Sequence, residues 1–223
     1  MKDREILNPK TSNDELVADM LDAFEDVEKN GGSSCSGNLS HECVQDTVNM
    51  VGDVYEGWDD YTLIGGIPLQ LKVLHETGET SGVLMREFGS RTTNDIDILT
   101  KDAQRYQSEF RDSEYSETGH LNLDFVNPSS LPGLNAYAEE MIENSETVHV
   151  EGLNIDAEVR VPTDTDLFYT KIHDDYSRQS TGTRHDAEYM ATSNALDIDS
   201  ERLAELTSGN EEAQDYLQEY LQF

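Results

Sequence analysis

Apolar and polar positions recur along the chain with two different periods, and their order predicts strands interleaved with helices. The run Tyr61-Thr62-Leu63-Ile64 ends in Gly65-Gly66 and is followed by IPLQLKVLHETG over 67–78. This pattern predicts a buried strand feeding a helix, with a glycine pair whose backbone can approach a phosphate closely. Some thirty residues on, Asp95-Ile96-Asp97-Ile98 reads as a second strand. Its two-residue period sends both carboxylates to one face and both isoleucines to the other. In 121–125, Leu121, Leu123 and Phe125 alternate inward while Asp124 points outward.

Helical spacing accounts for much of the rest. Ser12 to Glu15 fits a capping box, followed by Leu16, Val17, Met20, Leu21, Phe24 and Val27 on one face. The run 30–38 is a loop by composition, and Val44, Val48, Val51 and Tyr55 mark a helix expected beneath the sheet. Residues 102–112 read as a polar surface helix and 135–144 as a short one. Segments 148–150 and 153–155 suggest a hairpin turning at Glu151-Gly152, its second strand extended by 157–161. From 165 onward the chain turns helical. Asp164 or Thr165 caps a helix with Leu167, Phe168 and Ile172 inward, and Lys171 faces a cleft. Helices follow at 184–193, after a cap at Ser200, and after a capping box at 208–211 that leads to Ala213, Tyr216, Leu217, Tyr220 and Leu221. The expected fold is α/β in the α+β sense, a small mixed sheet with flanking helices and a helical C-terminal part. The expected division is 1–40 (N-terminal helix and loop), 41–162 (core) and 163–223 (helical region completing a cleft).

Asp-x-Asp on a strand describes two solvated aspartates as readily as two metal ligands. A third acid shifts the balance. Carboxylates gathered at adjoining strand ends repel one another unless a cation neutralises them. Mg²⁺ suits that position because it takes oxygen ligands and leaves places for phosphates. Asp124 is the expected third acid, with Asp156 and Glu158 as rivals. Lysine is scarce, so Lys171 on an apolar helix face points to a phosphate contact, against the alternative of a snorkelling surface lysine.

In order, Gly65-Gly66, Arg91-x-Thr93-x-Asp95-x-Asp97 and Asp124 resemble the DNA polymerase β-like nucleotidyltransferase superfamily. The stretches DLFYTKI (166–172) and RHDAEY (184–189) are similar to its AbiEii/MenT-type toxin branch, and the resemblance spans roughly 44–190. It implies transfer of a nucleoside monophosphate from a nucleoside triphosphate to an acceptor hydroxyl. Asp95 and Asp97 would bridge two Mg²⁺ ions, and Asp124 would bind the one on the nucleophile side. Gly65 and Gly66 would meet the triphosphate, with Arg91, Thr93, Lys171 and Arg184 as further nucleotide contacts. Asp186 would orient Lys171 or Arg184. The implied acceptor is a tRNA 3′ end or a protein, and the implied partner is an antitoxin. His185 departs from the branch, which often has a basic residue there, and the spacing from Gly66 to Asp95 is long for the superfamily. Two alternatives stand beside this reading: a non-catalytic partner-binding module on the same fold, and transfer to a small molecule.

Charge changes the picture of the surface. The chain has 47 Asp+Glu against 15 Lys+Arg, a formal net charge of −32 over 223 residues, spread along the whole sequence. Acid distributed between apolar-periodic segments points to a folded cytoplasmic protein of an extreme halophile, soluble in molar salt. The lack of a Lys/Arg cluster argues against a long RNA footprint. No apolar run approaches the length of a membrane span and no signal segment opens the chain, so no membrane partner is expected. Cys35, His41 and Cys43 lack a fourth zinc ligand nearby, which leaves two reduced thiols as the expectation. His75, His120 and His185 read as surface or structural.

The charge density generates a prediction. Circular dichroism melts should show the protein loosened in dilute buffer and progressively stabilised between ~0.1 and ~2 M KCl, because screening lengths shrink several-fold over that range. A melting temperature indifferent to KCl would contradict the halophile reading.

Overall fold

The computed structural model describes residues 37–78, 93–117, 121–130, 135–178, 181–193, 196–208, 213–215 and 217–218. The helix expected at 12–27, Arg91, His120 and most of the capping box at 208–211 lie outside the described residues.

Turn and cap chemistry divides the chain where the periods change. The elements are α1 (Glu42–Val54), β1 (Tyr61–Ile64), α2 (Ile67–Thr77), β2 (Asp95–Thr100), α3 (Ala103–Asp112), β3 (Asn122–Val126), α4 (Asn135–Asn144), β4 (Glu146–Gly152), β5 (Ile155–Val161), α5 (Asp164–Arg178), α6 (Thr181–Thr192) and α7 (Ser200–Leu206). One sheet has the order β1-β2-β3, with β1 antiparallel and β3 parallel to β2. Strands β4 and β5 form a separate antiparallel hairpin. This is the α+β arrangement, with a small mixed sheet and flanking helices, that the sequence predicts. Among the described residues no helix is long and apolar enough to cross a membrane.

The apolar faces meet in one core. Leu63, Ile96 and Ile98 of the sheet, Leu69, Leu71 and Leu74 of α2, and Leu167, Phe168 and Ile172 of α5 are all buried in it. Helix α1 packs on the hairpin strand β5 through Gly52, where an added Cβ would lie 2.9 Å from the Ala157 Cβ. A side chain at Gly52 would therefore force the helix off the strand. Arg160 of β5 joins hairpin, sheet and α4. Its Nε donates to Tyr61 O, and its Nη2 donates to Ile142 O and Ser145 O.

Three local expectations are corrected. The hairpin turns two residues later than the glycine suggested. Gly152 pairs with Ile155, so Leu153 and Asn154 form the turn, both at positive φ (53° and 64°). Those angles match a type I′ turn, whose twist suits a hairpin. Leu153 tolerates the unfavourable conformation by packing against the core. The cap of α7 is Asp199, not Ser200: its carboxylate accepts from the backbone N–H of Glu201 and Arg202. Cys43 is disulfide-bonded rather than a reduced thiol, and Cys35 is the chain's one other cysteine.

Lys72 is 4% exposed on α2 and ion-paired to Glu146 at the start of β4 and, at 2.8 Å, to Asp164 at the start of α5. Asp164 also accepts from Asp197 N–H. Lys72→Met keeps the apolar stem but removes the charge these carboxylates face. We expect a loss of about 2 kcal/mol, since hydrogen bonds to charged groups contribute roughly 1.5–3 kcal/mol. The measurement is the denaturant midpoint at unchanged slope. An unshifted midpoint would make the pair neutral to stability.

Candidate functional site

Strand β1 ends at Ile64, which pairs with Asp97 across the antiparallel ladder. The backbone then turns at Gly65 (φ +86°) and enters α2 through Gly66. Two constraints require glycine at 65. The φ lies in the left-handed region, and a Cβ there would stand 2.9 Å from Asp97 Oδ2. The turn and the carboxylate are fitted to one another.

On β2, Asp95 and Asp97 are half-buried while Ile96 and Ile98 are in the core, as the strand period predicts. The parallel register sets Asp97 opposite Asp124 and Asp95 opposite Asn122. Directly opposed residues share a face of a sheet, so all three acids lie on one side. Asp124 is exposed there. The rival acids lie elsewhere. Asp156 is exposed on β5, 3.6 Å from His149 Nε2. Glu158 lines a cavity with Trp58 and Tyr61, at the end of β1 remote from Gly65.

Among the described residues no three His, Cys, Asp or Glu side chains close into a metal cluster. The three acids form an open row of oxygen donors beside a glycine whose missing Cβ leaves Asp97 its space.

Lys171 of α5 reaches back to the same turn. Its Nζ donates to Gly65 O at 2.5 Å and pairs with Asp186 Oδ2 of α6 at 2.9 Å. The lysine and aspartate side chains are 7% and 0% exposed, so this is a buried ion pair. Asp166, which opens the DLFYTKI stretch, is buried against Arg202 at 3.7 Å. Burial pushes the Asp166 carboxyl up, and Thr163 and Arg202 counter that rise.

The remaining expected contacts have other geometry. Arg184 is more than half exposed and pairs with Glu188 one turn along α6 at 3.2 Å. Thr93 Oγ1 donates to Asp95 O at 2.8 Å and to Asp95 Oδ1 at 3.1 Å. His75 Nδ1 bonds to His149 O at 2.9 Å, a structural role. Sequence reasoning passed over Gln70, buried on α2. Its Oε1 accepts from Leu39 N–H at 2.9 Å, and its Nε2 donates to Gly66 O at a long 3.5 Å. The available signal was a glutamine inside the apolar run IPLQLKVL.

The Gly65 geometry is testable by a matched pair. Gly65→Ala must adopt φ +86° and press on Asp97, whereas Gly57→Ala at φ +74° meets nothing within 4 Å. Both carry the left-handed strain of about 1–2 kcal/mol. We expect Gly65→Ala to lower the denaturation midpoint further than Gly57→Ala. Equal shifts would mean that Asp97 yields freely.

Among solved structures, the chain is similar to an antigenic nucleotidyltransferase-like protein from Paracoccidioides brasiliensis. Sequence identity is 16%, the match covers 82% of this chain and 95% of that one, and the TM-score is 0.49. No family model and no curated protein matches the chain.

Proposed function

We propose that the chain is a metal-dependent nucleotidyltransferase, which moves a nucleoside monophosphate from a nucleoside triphosphate to an acceptor hydroxyl and releases pyrophosphate. The observation that carries this reading is the in-register pairing of Asp97 with Asp124, on the face shared with Asp95 and directly beside the Gly65 turn. Carboxylates so placed would be mutually repulsive without a cation between them. Asp95, Asp97 and Asp124 would hold Mg²⁺, which when bound supplies charge neutralisation for the triphosphate and polarises the attacking oxygen.

The chain's own groups take the remaining roles. The glycine turn presents backbone, without side chains, at the start of α2, where unpaired N–H groups favour an anion. Lys171, donating to Gly65 O and paired with Asp186, holds α5 and α6 against that turn. Asp124, exposed at the edge of the row, would accept the proton of an incoming hydroxyl. On the resemblance of its motifs, we extend the proposal to a toxin of a toxin–antitoxin pair, with a tRNA 3′ end or a protein as acceptor.

The test is incubation with each labelled nucleoside triphosphate, Mg²⁺, total tRNA and protein in molar KCl. Wild type should label an acceptor, while Asp95→Asn and Asp97→Asn should each lose at least about a hundredfold, as removal of a single strong electrostatic contribution to a transition state does. Both variants should keep wild-type circular dichroism. Undiminished turnover in a folded variant would sink the assignment. A folded wild type that labels nothing and binds no nucleotide would favour the partner-binding alternative.

A further inference from the structure

We propose that the turn at residues 37–41 is a brace that positions the candidate site from both sides, with Thr93 and Gln70 as the positioning residues that transmit it. The consequence for nucleotide binding rests on the nucleotidyltransferase reading.

The turn is firmly built. Asn38 Oδ1 accepts from Ser40 N–H at 3.0 Å and from Ser40 Oγ at 2.5 Å, and His41 N–H donates to Asn38 O at 3.0 Å. The His41 side chain lies so close to Gly37 that a Cβ there would come within 2.6 Å of it. Two links leave this turn in different directions.

The first runs to the acid strand. Gly37 and Thr93 exchange both backbone bonds, Gly37 N–H to Thr93 O at 3.0 Å and Thr93 N–H to Gly37 O at 2.7 Å. Thr93 thereby sits in a fixed backbone position, and its hydroxyl reaches the Asp95 carboxylate. A hydroxyl donating to a carboxylate restricts its rotamer. The second link runs to the glycine turn. Leu39 is fully buried, and its N–H is satisfied by Gln70 Oε1. Its carbonyl accepts from Gln45 Nε2 at 3.0 Å. The other end of the Gln70 amide faces Gly66 O. A buried backbone N–H left unpaired is costly, so the Gln70 amide is locked in orientation by the need to satisfy Leu39.

One short turn thus touches Asp95 through Thr93 and Gly66 through Gln70. The two site elements are also joined to each other through the β1–β2 ladder that ends at Ile64 and Asp97. The brace adds a second connection outside that ladder. Loosening one link should therefore be felt at the far one.

The experiment is hydrogen exchange, read by mass spectrometry in molar KCl, on Thr93→Val, Thr93→Ser and Gln70→Met. Thr93→Val keeps shape without the hydroxyl, and Thr93→Ser keeps the hydroxyl. We expect Gln70→Met to speed exchange in the peptide spanning 93–98 and Thr93→Val to speed it in the peptide spanning 63–70. Thr93→Ser should match wild type. Faster exchange confined to each substitution's own peptide would overturn the brace. If Gln70→Met does not fold, the reach of Thr93→Val into 63–70 decides alone. Calorimetric titration with Mg²⁺–ATP supplies the functional arm. Thr93→Val should bind about tenfold more weakly, roughly 1.4 kcal/mol, with Thr93→Ser within about twofold of wild type. Unchanged affinity in Thr93→Val would remove its positioning role. If wild type binds none of the four nucleoside triphosphates with Mg²⁺, the nucleotidyltransferase reading fails, and the exchange pattern still decides the brace.

Discussion

The contact between the Lys171 ammonium, the Gly65 carbonyl and the Asp186 carboxylate is the constraint on which the rest of the site depends. It is buried, so salt screens it little, and it joins three parts of the chain remote in sequence. An ammonium at 7% exposure requires partners that satisfy it, and an aspartate at 0% exposure requires a cation. Neither can leave without stranding the other. The helical pair α5–α6 is thereby pinned to the glycine turn, and the turn is in turn shaped to leave Asp97 its space. Packing of the C-terminal helices is coupled to carboxylate geometry through one backbone carbonyl.

That coupling adds to what fixes the conformation of the glycine turn. Gly65 adopts a conformation that an L side chain resists, and it does so where a strand gives way to a helix within two residues. The backbone is over-determined there. The β1–β2 ladder ends at Ile64, Lys171 grips the Gly65 carbonyl, and the Gln70 amide faces the Gly66 carbonyl. A turn held from three sides is constrained in its backbone conformation.

The parts of this design that were legible in the sequence are those written by a local period. Ile96 and Ile98 buried in alternation with half-buried Asp95 and Asp97 is the two-residue rule in plain form, and so is exposed Asp124 between half-buried Leu123 and Phe125. Leu167, Phe168 and Ile172 mark the inward face of α5 in the same way, and Lys171 falls next to them. What could not be read is what depends on distant partners. Lys72 and Gln70 sit in an apolar helix run, yet their partners lie 74 and 31 residues away. The hairpin turn was misplaced because Gly152 is the obvious local breaker, whereas core packing of Leu153 moves the turn to a pair that includes a β-unfriendly leucine at positive φ. Arg184, singled out by its motif, is more than half exposed on α6, and its pairing with Glu188 one helical turn along is a contact the motif does not name.

Distribution of the cations gives the last step. With 15 Lys+Arg against 47 Asp+Glu, an even scatter would put a few basic groups on every face. Several instead serve as internal struts. Lys72 ties α2 to β4 and α5, Lys171 ties α5 to the glycine turn, and Arg160 ties β5 to Tyr61, Ile142 and Ser145. Arg202 joins α7 to Glu140 of α4 and approaches Asp166 of α5. Surface pairs contribute little and less still in molar salt, whereas charged groups that are buried and hydrogen-bonded keep their value. Among the described residues, the buried pairs of Lys72 and Lys171 are therefore the ones that salt screens least, whereas Lys101, Arg105, Arg111 and Arg184 are exposed. On the proposed reading, phosphate charge would be met by backbone N–H groups and by the ion that Asp95, Asp97 and Asp124 would hold.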